Sequence, residues 1–406
     1  MVRNRDETTS PSSHFSVLQS ISLYMPVSKT IFFFSLFMIF YVYLGYPVLV
    51  FLIGMIRNKK VERGDYEPHV TLLIAAHNED ESIESTLKNK LSLDYPKDKL
   101  EIIVISDGST DRTDDIVKQY TKQGVRLLRQ EPRAGKTAAL NMAVRQANGE
   151  ILVFSDANSI YAQDALRMLT QNFNDSTVGY ATGKMIYTNQ DGTAIGDGCT
   201  TYMKYENFLR YQETRVGSVV GVDGGIDACR RSLYQPMNPD QLPDFVLPLK
   251  VVEQSYRVVY EPAAILKEPS LKAPKDEYRM RVRVSLRALW ALWDMRCLFT
   301  LTRSKLFAWQ LLSHKVLRYL CFIFLIAAYL TNLVLWPESG LYKVLFILQN
   351  MAYLGAIVSP ILEKRGISSR LLYMLSYFIL LNLAAAHASI KFLLGQKQVM
   401  WTPRKG

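Results

Sequence analysis

The sequence predicts an α/β domain built on a mostly parallel sheet flanked by helices and set between apolar segments that cross a membrane. Three observations carry this. Between residues 70 and 154, short β-rich apolar runs alternate with helical stretches, the rhythm of a parallel sheet covered on both faces. Charge-free runs occupy 30–56, 319–337, 344–362 and 371–390. Each is about 19 to 27 residues long, enough at about 1.5 Å per residue to cross a hydrocarbon core of about 30 Å. Finally, 49% hydrophobic residues stand beside 21% charged ones, as expected when a polar domain and a membrane bundle share one chain. The expectation is an integral membrane protein with one N-terminal and about three C-terminal transmembrane helices.

In chain order, 1–29 is Ser/Thr-rich with mixed charge and reads as a disordered leader. Segment 30–56 is the first transmembrane helix, too long and too late for a cleavable signal, with Gly45-Tyr46-Pro47 as a kink. Arg57, Lys59, Lys60 and Arg63 follow it, so the positive-inside rule puts that end, and the domain at 65–270, in the cytoplasm beneath the inner (plasma) membrane. Within that domain strands are expected at 70–76, 100–106, 125–129 and 151–154, separated by helices at 81–93, 111–122 and 136–146. Beyond 159 the pattern loosens into helices near 162–172 and 202–213, strands near 178–187 and 256–260, and a helix starting near Asp244.

Net charge is +11, and the excess is local: 267–318 holds twelve Lys or Arg against four Asp or Glu. Beside membrane spans this points to anionic lipid headgroups as the partner, not nucleic acid. Arg279, Arg283 and Arg287 recur every four residues, with Trp290 and Trp293 beyond them, so 275–315 reads as amphipathic interfacial helices. Transmembrane helices at 316–395 and a basic tail at 396–406 complete the chain. Three spans after a cytoplasmic domain would put that tail outside, against the charge rule for Lys397, Arg404 and Lys405, and the side of the tail stays open. Cys199, Cys229, Cys297 and Cys321 lie far apart with no Cys-x-x-Cys pair, which fits a reducing compartment.

Candidate chemistry gathers at strand ends, where open α/β sheets hold ligands. The clusters are Ala75–Ala76-His77-Asn78-Glu79, then Ser106-Asp107-Gly108-Ser109-Thr110-Asp111, then Arg133-Ala134-Gly135-Lys136, and finally Asp156-Ala157-Asn158. An acid at a strand end with an Asn oxygen two residues on suits a hard divalent cation shared with phosphate oxygens, although Asp156 also fits a helix cap.

Taken together and in this order, these clusters resemble the inverting glycosyltransferases of family two with the GT-A fold, specifically the membrane-bound polysaccharide synthase branch of cellulose, hyaluronan and poly-N-acetylglucosamine synthases. The resemblance runs from Val70 to about Pro262, with the flanking spans. It implies a nucleotide sugar, a UDP-sugar above all, bound by Ala76, His77, Glu79, Asp107, Lys136 and Asp156, with Mg²⁺ or Mn²⁺ at Asp156 and Asn158. It implies an acceptor-side loop at 224–231, with Gly225, Asp227, Arg230 and Arg231, joined by Arg283 or Arg287. It assigns Asp244 as catalytic base, although Asp244 also fits an N-cap for the helix carrying Val246 and Leu249.

The chain departs from that pattern at His77, where the family has Tyr, and at Asn158, where it has a second acid. No Gln-x-x-Arg-Trp is present, which leaves processivity open. The expected activity is metal-dependent transfer of a hexosyl group to a growing polysaccharide or a lipid-linked acceptor. A non-catalytic nucleotide-sugar-binding membrane regulator is the rival reading.

Overall fold

The structure, a computed structural model, describes residues 12–188, 194–269, 274–300, 305–365 and 369–399. The expected leader segment 1–29 lies partly outside these; the helix Ser12–Phe40 takes up the rest of it. Arg404 and Lys405 of the tail lie outside the described residues.

One eight-stranded sheet carries the domain, in the order β3-β2-β1-β4-β7-β6-β8-β5. The first four are β1 (Val70–Ala76), β2 (Leu100–Asp107), β3 (Val125–Gln130) and β4 (Ile151–Asp156). They are mutually parallel, as the alternating pattern predicts. Beyond β4 the sheet is mixed. There β5 is Ile160–Tyr161, β6 Val178–Thr188, β7 Ile226–Arg230 and β8 Arg257–Pro269, and β7 runs antiparallel to both β4 and β6. This strand occupies most of the stretch expected to be a loop. Asp227 and Arg230 break its apolar run, yet four of its five residues are buried.

β1 is buried along its whole length because helices cover both faces. Leu72 and Ile74 face one hydrophobic cluster and Leu73 and Ala75 the other, the two-residue period of a pleated strand. The turn before β4 closes on β1 at Gly149, where a Cβ would stand 2.3 Å from the Thr71 amide nitrogen. Gly149 N–H also donates to Thr71 Oγ1 at 2.8 Å.

Among the described residues three helices are long and apolar enough to cross a membrane: Met25–Arg57, Gly340–Leu362 and Arg370–Leu393. A fourth span is possible from Lys305–Tyr319 and Cys321–Leu335, which meet at a 56° bend. The expected kink in the first span is a π turn, Tyr41–Gly45. Pro47 has no N–H and its ring crowds the carbonyl four residues back; that carbonyl, on Tyr43, instead accepts from the Tyr205 hydroxyl at 3.2 Å.

The helix expected to lie along headgroups, Pro274–Asp294, is held by protein on two sides. Ala288, Ala291 and Leu292 pack into the domain core, while Val282 and Leu286 pack on Ala384 and Ala388 of the last membrane helix. Its spacing therefore serves two protein neighbours.

Gly149→Ala should force β1 and the β4 turn apart, with a stability loss on the order of 1–3 kcal/mol. The thermal midpoint of the full-length protein in detergent measures it; an unchanged midpoint would show that the backbones are not in this contact.

Candidate active site

The carboxyl ends of β1, β2 and β4 bring three loops together. After β1, Asn78 takes φ +53, and its side-chain oxygen accepts from Thr110 N–H at 2.8 Å while its own N–H donates to Ser109 Oγ at 3.2 Å. Asp80 N–H donates to Asp111 Oδ2 at 3.1 Å. The loops after β1 and β2 are thus sewn edge to edge. His77 is buried, and its Nδ1 meets the Asp107 carbonyl at 2.8 Å. Ala76 ends β1, fully buried beside Ser106. Burial pushes the Glu79 carboxyl up to about 7, against the Ser82 hydrogen bond and with Asp156 and Asp111 adding to the rise.

Asp107 also has a part within the fold. Its carboxylate is fully buried and accepts from Gln130 Nε2 at 2.5 Å, Ala134 N–H at 2.8 Å and Gly135 N–H at 3.0 Å. It thereby folds the 130–135 loop and aims Lys136, the first residue of the helix Lys136–Val144. Gly135 makes this approach with φ +95.

Lys136 forms an ion pair with Asp156 at the end of β4. Burial pulls the lysine down, but Asp156 and then Asp244 outweigh it and hold its pKa above the ordinary value. The Asp156 turn is supported from behind by the helix Ile83–Leu91. Thr86 Oγ1 donates to the Ala157 carbonyl at 2.7 Å, and the buried Lys90 ammonium donates to the Ser159 carbonyl at 2.7 Å. Lys90 also sits 3.2 Å from the centre of the Tyr161 ring. Thr86 and Lys90 are absent from the sequence-derived site. Their one sequence signal is polar residues on the same helical face as Ile83 and Leu87.

Asp244 reaches the same cleft from the helix Pro243–Glu253. Leu242 is that helix's N-cap and no side chain caps it, so capping does not account for Asp244. Pro243 begins the helix, and a carboxylate in the first turn faces the favourable end of the dipole. Asp244 Oδ1 accepts no hydrogen bond among the described residues. A Cβ on Gly224, where φ is +86, would stand 2.3 Å from Asp244 Oδ2. Burial raises the Asp244 carboxyl above the usual carboxylate range, against Lys136 and with Asp156 adding to the rise. Asp244 and Phe245 line a cavity of about 540 Å³.

Asp227, on β7 opposite Phe154, adds a fourth acid. Burial is the main force pushing its carboxyl up to about 7, and Asp244 and Asp223 add to it. Neither of its oxygens completes a hydrogen bond among the described residues. Gly225 is packed in the interior, its carbonyl accepting from Tyr161 at 2.8 Å.

Other expected residues are placed elsewhere. Arg230 and Arg231 fall at the far end of β7, beside the start of β4. Arg230 donates to the carbonyls of Val178 and Phe173, and Arg231 to that of Ala147; both brace the opposite rim. Arg287 is buried and donates to the carbonyls of Asp240 and Gln241 and to Thr137 Oγ1, so it holds the approach to Asp244. Burial drives its pKa down to about 10, with Asp244 opposing. Arg283 lies on the same helix, half-buried and near enough to Arg287 to depress it further.

Asp156 and Asn158 offer two oxygen-bearing side chains from one turn. Among the described residues no three His, Cys, Asp or Glu side chains converge to hold a metal ion by themselves. The donor set fits a hard cation whose remaining ligands come from phosphate and water.

Residues 71–235 match the family model "Glycosyl transferase family 2". The chain is 30% identical over 234 residues to the probable glycosyltransferase YdaM of Bacillus subtilis (strain 168), covering 53% of this chain and 54% of that protein. It is likewise 30% identical over 203 residues to the poly-β-1,6-N-acetyl-D-glucosamine synthase of Staphylococcus aureus (strain COL), covering 48% of each. The chain thus spans about half the length of the curated relatives it matches. Among solved structures it is similar to the mannosyltransferase PcManGT from Pyrobaculum calidifontis, in complex with GDP-Man and Mn²⁺. The TM-score is 0.69 at 22% identity, over 88% of this chain and 97% of that one. Segment 71–235 is thus similar to family 2 glycosyltransferase domains, and the fold is of the GT-A kind.

Asp227 carries a pH prediction. Its folded pKa lies above the unfolded value of about 3.9, so its relative stabilisation is complete below that value and is lost as pH rises through about 7. Asp227→Asn, which keeps the neutral shape, should gain stability over the parent between pH 4 and 7 and hold the gain at pH 8. On the order of 2–4 kcal/mol is at stake. Thermal midpoints of both proteins across that range measure it, and a constant difference would contradict the raised pKa.

Proposed function

We propose that this protein is an inverting membrane glycosyltransferase that moves a sugar from a nucleotide sugar, a UDP-sugar in the first instance, onto an acceptor hydroxyl. One observation carries the reading: Asp244, with an unsatisfied oxygen and a raised pKa, opens into a cavity beside the Lys136–Asp156 pair. A family 2 domain fold and relatives named as glycosyltransferases support the same chemistry.

The donor diphosphate lies across the ends of β1, β2 and β4, with the nucleoside toward His77 and Glu79. Asp107 acts by shaping the 133–135 loop, whose backbone and Lys136 face the phosphates. Asp156 and Asn158 would hold a divalent cation, Mg²⁺ or Mn²⁺, which would supply positive charge against the leaving diphosphate. Lys136 adds a fixed positive charge on the same side, where negative charge develops.

Asp244 takes the proton of the acceptor hydroxyl as its oxygen bonds the anomeric carbon from the face opposite the diphosphate. The carbon–oxygen bond to the diphosphate breaks, its electron pair leaves with the phosphate, and the configuration inverts. Arg287 holds the 239–241 approach and so positions the base. The domain faces the cytoplasm at the inner (plasma) membrane, the side on which nucleotide sugars are made, and the acceptor is a polysaccharide or a lipid-linked molecule entering from the membrane helices.

Asp244→Asn in purified full-length protein should lower sugar transfer by about 10²–10⁴-fold, while UDP binding stays within about twofold. Transfer retained at a tenth or more of the parent rate would remove Asp244 as base. The acid limb of the parent's rate profile should lie above the ordinary Asp value, because the base must be ionised and its folded pKa is raised. Chelation by EDTA should abolish UDP release from the cognate UDP-sugar, and Mn²⁺ should restore it; full activity in EDTA would exclude the metal.

A further inference from the structure

Apart from Asp244, the charged side chains lining the cavity pair off among the described residues until one cation is left. Arg210 is bound to Asp223 at 2.6 Å and donates to the Gly221 carbonyl at 3.0 Å. Arg318 is paired with Glu206, and His314 lies between Glu206 at 3.3 Å and Glu213 at 2.6 Å. Arg281 is held by Glu277 at 2.7 Å. Lys315 has no ion pair or hydrogen bond among the described residues. Its ammonium rests against Gly221, where a Cβ would stand 2.4 Å from Nζ. It lies 5.9 Å from the centre of the ring of Phe245, the neighbour of Asp244 in sequence.

Beside it, Nε and Nη2 of Arg318 are buried without hydrogen-bond partners. The same cavity is walled by Met374, Phe378 and Leu381 of the last membrane helix. A cation enclosed in protein with no directly bonded partner is costly to hold there, so the cavity is suited to receive an anion. An uncharged saccharide chain would leave that cost standing, and an apolar wall offers it nothing.

We propose that the acceptor is an anionic amphiphile. A phosphate-type group binds Lys315 with help from Arg318, the apolar chain lies along Arg370–Leu393, and the attached hydroxyl is presented to Asp244. This rests on the glycosyl-transfer reading and narrows its acceptor. The anion could arrive on a lipid or as a free ion, and the two are separable.

The full-length protein in phosphatidylcholine nanodiscs is titrated calorimetrically with citronellyl phosphate, with citronellol and with inorganic phosphate. Citronellyl phosphate should bind at least about tenfold tighter than either partner compound. Lys315→Gln should weaken it by about tenfold and Lys315→Arg should retain it. Gly221→Ala, which displaces the ammonium without removing it, should also weaken it. UDP binding, unchanged in all three, reports that each variant is folded.

Citronellol binding as tightly as its phosphate would overturn the proposal, and so would Lys315→Gln and Gly221→Ala both binding like the parent. Inorganic phosphate matching citronellyl phosphate would mark a free-ion site and equally overturn it. Asp244→Asn should abolish transfer without weakening amphiphile binding, so loss of the assigned base and loss of the assigned acceptor give different results.

Discussion

The site depends on a single ammonium placed among carboxylates. Asp156, Asp244 and Asp227 all act electrostatically on Lys136; Asp156 helps to raise the pKa of Asp244, and Asp244 that of Asp227. Brought together without a cation, these acids would repel and protonate. Lys136 offsets that cost, and its place is set one step earlier by the Asp107 carboxylate gathering the backbone of 134–135. A diphosphate and cation entering this cleft would meet charges already held in position, so little reorganisation remains for the chemical step.

The membrane helices are tied to this cleft by polar contacts. Buried Glu213 accepts from Tyr46 of the first span at 2.5 Å and from His314 at 2.6 Å, joining both ends of the chain at the helix Ala194–Val216. Arg287 fastens the helix Pro274–Asp294 to the approach of Asp244. That helix also packs on the last span, so a shift of the span against the domain would be felt at Asp244. The tail joins this arrangement: Trp290 donates to the Gln396 carbonyl at 2.8 Å, and Lys397 pairs with Asp240 at 2.5 Å. Lys397 thereby lies on the same side as the domain, which is where the charge rule puts a basic tail.

Residue pattern was a good guide where one element decides a residue's place. The four parallel strands were legible because each is an uninterrupted apolar run ending in a polar turn, and those turns hold His77, Glu79, Lys136 and Asp156. It was a poor guide where two distant elements decide together. β7 was hidden because Asp227 and Arg230 look like loop residues until β4 and β6 close on either side. Arg230 and Arg231 follow Asp227 by three and four residues, but an extended strand carries them to the opposite rim. Lys90 and Thr86 look like ordinary helix polar residues until the Asp156 turn is laid against them.

The sequence by itself determined the alternation that makes the sheet, the apolar lengths that make the spans, and the acids and lysine at strand ends. These follow from local periodicity and from the chemistry of single side chains, which need no partner to be read. Only the tertiary structure decided that Asp107 shapes a loop, that Arg287 braces the approach to Asp244, and that Lys315 alone among the cavity's described cations lacks a counter-ion. Burial and pairing are properties of neighbours, and these neighbours are separated by tens to hundreds of residues along the chain.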